Sequence, residues 1–154
     1  SMTYEIQVFT SKHYLVKVKM ICSFQNDLQN QMLEFYKYGA SPSGYSFILF
    51  MILMAMNAAI HGKRESDNSV EVHYKFGKDK IVIENKTECD ENIKNDVRRK
   101  LKTAPWRDEK ESITLWTLQK LSQIRNCGKL FEIEVEEGMF RVILTKFTRY
   151  FESF

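Results

Sequence analysis

YSFILFMILMAMNAAIHG, residues 45–62, decides the fold. From Phe47 to Met56 it holds no charge and no helix breaker, and Leu, Met and Ala dominate, so length and propensity both favour a buried helix over a strand. A helix is therefore expected over Tyr45–Ile60. The apolar run between Ser46 and Asn57 is much shorter than the roughly 18 residues that a membrane-spanning helix needs, so no membrane partner is expected. Asn57 and His61 are one turn apart and share a face near the C-terminal end of the helix. Read alone, Asn57 is either a satisfied core amide or a group lining a cleft. His61 is either a cation suited to the negative end of the helix dipole or a second member of that cleft, and Gly62 reads as the cap.

On the N-terminal side, Thr3–Val8 and Tyr14–Met20 alternate apolar with polar residues and predict two strands, joined through Thr10, Ser11 and Lys12. Phe24–Tyr38 carries Phe24, Leu28, Met32 or Leu33, and Phe35 or Tyr36 at three-to-four spacing, which predicts an amphipathic helix ended by Gly39, Pro42 and Gly44. On the C-terminal side, a polar loop over Gly62–Ser69 leads into strands Val70–Phe76 and Lys80–Asn85, a hairpin turning at Gly77-Lys78-Asp79. The charged stretch Lys86–Lys110 is lid-like, with Ile93, Val97 and Leu101 spaced for one weakly amphipathic helix. Ser112–Asn126 predicts another amphipathic helix, capped by Ser112 and Gly128. Leu130–Val135 and Met139–Thr145 then form a hairpin around Glu136-Glu137-Gly138. The order predicts an α+β protein, a two-layer α/β sandwich whose mixed sheet is covered on one face by three helices.

The whole chain, 1–154, is of single-domain length, and its 44% apolar content is enough to bury a core. A net charge of +3 implies neither nucleic acid nor membrane as partner. Arg98, Arg99, Lys100, Lys102 and Arg107 form a basic run beside Trp106, but without an aromatic stacking surface a nucleic-acid partner is not expected. Ser1-Met2 reads as a cleavage scar and no secretory signal pattern stands at the start, so the expectation is a cytoplasmic protein. Cys22, Cys89 and Cys127 fit neither a disulfide framework nor a metal motif, and His13, His61 and His73 are not at ligand spacing.

With these elements in order, the helix ending MNAAIHG, the strand pair ending IVIEN, the charged segment, the helix ITLWTLQKL and the final hairpin GKLFEIEVEEGMFRVILT together resemble the histidine-kinase-type ATP-binding domain. This is the GHKL or Bergerat fold of gyrase, heat-shock chaperone, sensor kinases and mismatch-repair proteins. Anti-sigma-factor serine kinases and sensor-kinase ATP domains are the most similar members, and the resemblance covers about Phe24 to Phe147.

The resemblance implies ATP and Mg²⁺ as ligands. Asn57 matches the asparagine whose side-chain oxygen holds the magnesium on the triphosphate, a role consistent with the preference of Mg²⁺ for few protein oxygens. His61 matches a histidine or basic residue near the phosphates. Asn85 stands where the family has the aspartate that accepts a bond from the adenine amino group, and an amide oxygen can accept it too. The first glycine box reads Asn85-Lys86-Thr87-Glu88-Cys89 and the second Lys110-Glu111-Ser112-Ile113-Thr114-Leu115, both without glycine. Thr87, Ser112 and Thr114 are then the polar groups left to face the nucleotide, with the N–H groups opening the helix after Ser112 available to an anion. Met139 replaces a threonine of the adenine pocket. Leu53 stands where hydrolysing members carry a general-base glutamate.

The function so implied is an ATP-binding domain of a signalling protein, kinase-like or nucleotide-sensing, with a protein partner and little hydrolysis. Phe24–Tyr38 contains no histidine, so any phosphoryl acceptor is expected on another protein. The alternative is a pseudo-ATPase, the fold kept as an interaction module that binds a protein without nucleotide.

Overall fold

The computed structural model describes residues 2–10, 14–25, 42–77, 80–88, 91–92, 94–95 and 131–145. They build a six-stranded sheet with one long helix against it. The strands are β1 (Met2–Phe9), β2 (Leu15–Phe24), β3 (Val70–Gly77), β4 (Lys80–Lys86), β5 (Phe131–Glu136) and β6 (Met139–Thr145), and the helix is α1 (Pro42–His61). The spatial order is β1-β2-β3-β4-β6-β5, antiparallel throughout except that β2 and β3 run parallel. A parallel pair requires a crossover, and α1 lies in the chain between β2 and β3.

Strict alternation is what makes this sheet two-faced. Register aligns Ile6 with Val18 and Val70, Tyr74 with Ile83, Ile83 with Val142, and Val142 with Ile133. One face is thus a continuous apolar layer in which Val18, Val70, Val72, Tyr74 and Val142 are no more than 1% exposed. Each buried valine of this kind contributes about 1.5–3 kcal/mol relative to exposure. The helix meets this layer through Met54, Ala55, Ala58 and Ala59, all buried. Tyr74 reaches out of the sheet to donate its hydroxyl to the Met51 carbonyl at 2.8 Å. Burial pushes its phenol pKa far up, so the hydroxyl remains a donor.

The opposite face is charged, and its charges alternate in sign across strands. Glu5, Lys19 and Glu71 form one row, and His73, Glu84, Arg141 and Glu134 another. Opposite charges on neighbouring strands favour this register over its neighbours.

The six strands fall where the sequence predicts them, and several boundaries move. Phe24 ends β2 instead of opening a helix, because it continues the alternation of Met20 and Cys22, pairs with Phe76 and stacks on that ring at 4.8 Å. The helix begins at Pro42, not Tyr45: a proline is compatible with the first turn, where its missing N–H has no partner to lose. Glu91, Asn92, Lys94 and Asn95 are helical within the lid-like stretch. Lys86 ends β4, residues 89–90, 93 and 96–110 of that stretch lie outside the described residues, as do residues 26–38 of the helix expected over Phe24–Tyr38 and the helix expected over 112–126, so one helix of the expected three is described.

The β5–β6 turn has φ of 54° at Glu137 and 73° at Gly138, the pairing of positive angles that a two-residue hairpin loop demands. Gly138→Ala should therefore lower stability by about 1–2 kcal/mol, whereas Glu137→Asn, which tolerates that backbone better, should raise the melting temperature. Thermal unfolding followed by circular dichroism checks both directions.

Candidate functional site

The C-terminal turn of α1 and the C-terminal end of β4 converge. Their contact is set by Gly62. A methyl group placed there would stand 2.6 Å from the Ala58 carbonyl oxygen, 2.9 Å from Val70 Cγ1 and 3.3 Å from Asn85 Nδ2. Its backbone is not left-handed, and its N–H still bonds the Ala58 carbonyl at 2.8 Å. Glycine is needed here for space, which corrects the expectation that it serves as a conformational cap. The next residue closes the junction, since Lys63 N–H donates to the Lys86 carbonyl at 2.8 Å.

Asn85 is the polar intruder on the apolar face of β4. It aligns with Phe140 across the strand pair, is 5% exposed, and donates from Nδ2 to the Lys86 carbonyl at 3.2 Å. Asn57 is 6% exposed on α1, and His61 lies in the last turn of that helix, partly buried. Thr87 is 5% exposed and its N–H is held by the Gly138 carbonyl at 2.8 Å, which ties the end of β4 to the β5–β6 turn. The structure thus gathers the helix bearing Asn57 and His61 and the strand end bearing Asn85 and Thr87 around Gly62. Ser112 and Thr114 lie outside the described residues.

The polar loop that follows α1 is pinned on three sides. Arg64 Nη2 donates to the Ala59 carbonyl at 2.8 Å and to Tyr14 Oη at 3.3 Å, setting a cation at the negative end of α1. Lys86 pairs with Glu65 at 3.1 Å, and Lys19 pairs with Asp67 at 2.8 Å. The bond from Lys19, with those from the Ser69 side chain and backbone, holds the Asp67 carboxyl well below the usual carboxylate range. Arg64 escaped the sequence reading. Its only signal was a basic residue just after a helix end.

Asn57, the residue expected to face magnesium, is buried on α1. Among the described residues no group of three or more His, Cys, Asp or Glu side chains is placed to hold a metal ion. A cation at this place would therefore be carried on phosphate oxygens and water, with the buried amide as a single ligand. Leu53 packs against the core and offers no base. Cys22 is buried, which pushes its thiol up to about 11 and keeps it protonated and unreactive.

Two features lie apart from this junction. A groove of about 470 Å³, lined by Ser23, Phe24, Lys75, Phe76 and Lys80 among others, sits at the Gly77–Lys80 end of the β3–β4 hairpin, opposite Asn85. On the charged face, Glu84 is bridged by Lys75 and by Arg141 Nε at 2.8 Å. Glu84 was not singled out in the sequence, and it is only 7% exposed. Among the described residues no helix is long and apolar enough to cross a membrane.

Comparison with family models, with curated proteins and with solved structures returns no match.

Gly62→Ala should cost about 1–3 kcal/mol, because two of the three atoms it meets belong to backbone and a packed valine. Chemical denaturation of the two proteins measures it. Burial pushes the Glu84 carboxyl up, but the bonds from Lys75 and Arg141 outweigh this and leave it below its ordinary value. A depressed pKa contributes stability that is present above the unfolded value, about 4.3, and lost as pH falls through the folded one. Glu84→Gln should accordingly be less stable than wild type at neutral pH, with the difference shrinking below about pH 4. Melting curves across that range decide it.

Proposed function

We propose that this chain is an adenine-nucleotide-binding domain of the histidine-kinase-like kind, working as a kinase-like or nucleotide-sensing regulator with little hydrolysis of its own. The observation that carries the reading is the junction at Gly62, where a helix bearing Asn57 and His61 closes onto the one strand whose apolar face ends in an amide. An amide in that position offers an acceptor for an exocyclic amino group and a donor for a ring nitrogen, the pair that a purine edge requires. In this reading Asn85 and Thr87 meet the base, while Asn57 and His61 face the Mg²⁺-bearing phosphates. The segments carrying Ser112 and Thr114 complete the site, and helices within 26–38 and over 112–126 join α1 on the apolar face to make the two-layer α+β sandwich. The location is cytoplasmic and the phosphoryl acceptor, or the regulated partner, is another protein.

The glycine-free boxes favour one other reading, a pseudo-ATPase module that binds a protein partner without nucleotide. Without glycines, backbone N–H groups cannot come as close to phosphates.

Calorimetry of the chain with Mg-ATP separates the two. Wild type should bind. Asn85→Ala should weaken ATP roughly tenfold or more, as expected when a buried hydrogen bond is lost, and Asn57→Ala should weaken Mg-ATP more than ATP in chelator. Silence at millimolar nucleotide, or indifference to both substitutions, sinks the nucleotide reading. Phosphate release should stay at background, because a general base is worth roughly 10²–10⁴-fold and Leu53 supplies none. Steady release that disappears in Asn57→Ala would contradict this.

A further inference from the structure

The two edges of the sheet differ in kind. β5 carries Glu132, Glu134 and Glu136 along six residues, a repeated like charge that blocks edge-to-edge pairing. The sequence of β1 carries few such defences. It runs eight residues in unbroken register with β2, without a bulge, a proline or a lysine, and Glu5 is its one charge. Among the described residues it pairs with β2 alone. Tyr4 is half-exposed at that edge, Thr3, Glu5 and Gln7 are exposed, and Ile6 and Val8 are only partly buried although they pack on the core. Among the described residues the apolar layer therefore runs on through Ile6 and Val8 to the outer strand of the sheet.

We infer that β1 is a homodimer interface, pairing antiparallel with β1 of a second copy about a two-fold axis through Ile6. The sequence of the strand selects this occupant and this register. Centred on Ile6, Tyr4 stands opposite Val8 on the apolar face, an aromatic to β-branched pair, and Glu5 stands opposite Gln7 on the outer face. Centring on Glu5 would set two carboxylates against each other. A two-fold contact requires a patch complementary to itself, and the stretch from Tyr4 to Val8 meets that condition on both faces. The result is a continuous twelve-stranded sheet, six strands from each copy, whose charged ends are the two β5 edges. The interface is a single strand pair, smaller than a standard one, so the dimer exchanges with monomer.

Sedimentation velocity of the full chain from micromolar to millimolar concentration tests this, with two charge variants at an exposed position. Wild type should shift from monomer towards dimer. Gln7→Glu sets a carboxylate against Glu5 twice and should weaken the dimer about fivefold, while Gln7→Lys sets opposite charges there and should strengthen it by a similar factor. Gln7 also faces Lys17 on β2, so within the monomer these two changes act with the opposite signs, and melting curves separate the effects. Ile6→Cys should form a disulfide across the axis on mild oxidation, in a background where Cys89 and Cys127 are serine. A chain that stays monomeric throughout, a dimer that ignores both Gln7 variants, or no cross-link through Cys at position 6 would each overturn the proposal.

Discussion

The distance between the last turn of α1 and the sheet is the constraint on which the other features rest. Met54, Ala58 and Gly62 follow one another at four-residue intervals on the sheet-facing side of the helix, so the side chains between helix and strand shrink towards the C-terminus. Where they vanish, even a methyl group would crowd the Val70 and Asn85 side chains. A helix must bury one stripe against another element, and the width of that stripe sets how near it lies. Here the narrowing delivers the polar end of α1 to the polar end of β4.

Two of the polar groups in the apolar layer are tied to main chain. Tyr74 ties the middle of α1 to β3 through a helical carbonyl, and Asn85 bonds the main chain of its own strand. Burying an amide or hydroxyl without partners costs roughly 1–3 kcal/mol, so such residues persist in a core when they fix geometry or face a ligand. The charged face follows a different logic. Glu84 loses solvation but gains two cationic partners, and its neighbours alternate in sign, so the sheet is held in register from both sides.

Much of this architecture was legible in the sequence because a period of two is hard to counterfeit over seven residues. The N-terminal strands follow from alternation, and the two later hairpins from the turns at Gly77-Lys78-Asp79 and Glu136-Glu137-Gly138. Boundaries were less legible. Phe24 fits a helical spacing with Leu28 and a strand spacing with Cys22, and only the stacking partner Phe76, far along the chain, decides between them. Gly62 looked like a cap because a glycine after a helix usually is one, whereas the reason for it lies on a different strand. For the same reason the low exposure of Glu84 was hidden: alternation tells which face a residue takes, not what stands beside it. Of the candidate residues, Asn57 and His61 were suggested by helical spacing and Asn85 and Thr87 by the resemblance, and the junction brings together the two elements that carry them, but Arg64 had no distinguishing pattern.

The one parallel pair in the sheet has a consequence for how the chain folds. β1 with β2, β3 with β4, and β5 with β6 are hairpins, closed by short connections and able to form within microseconds. β2 meets β3 only after the whole stretch from residue 25 to residue 69, α1 included, has been looped back. Closing so long a loop carries an entropic cost that no local contact offsets in advance. β4 likewise meets β6 only after residues 87–138 have been looped back. Until both long closures are made, the apolar faces of the three hairpins remain open to water and to one another.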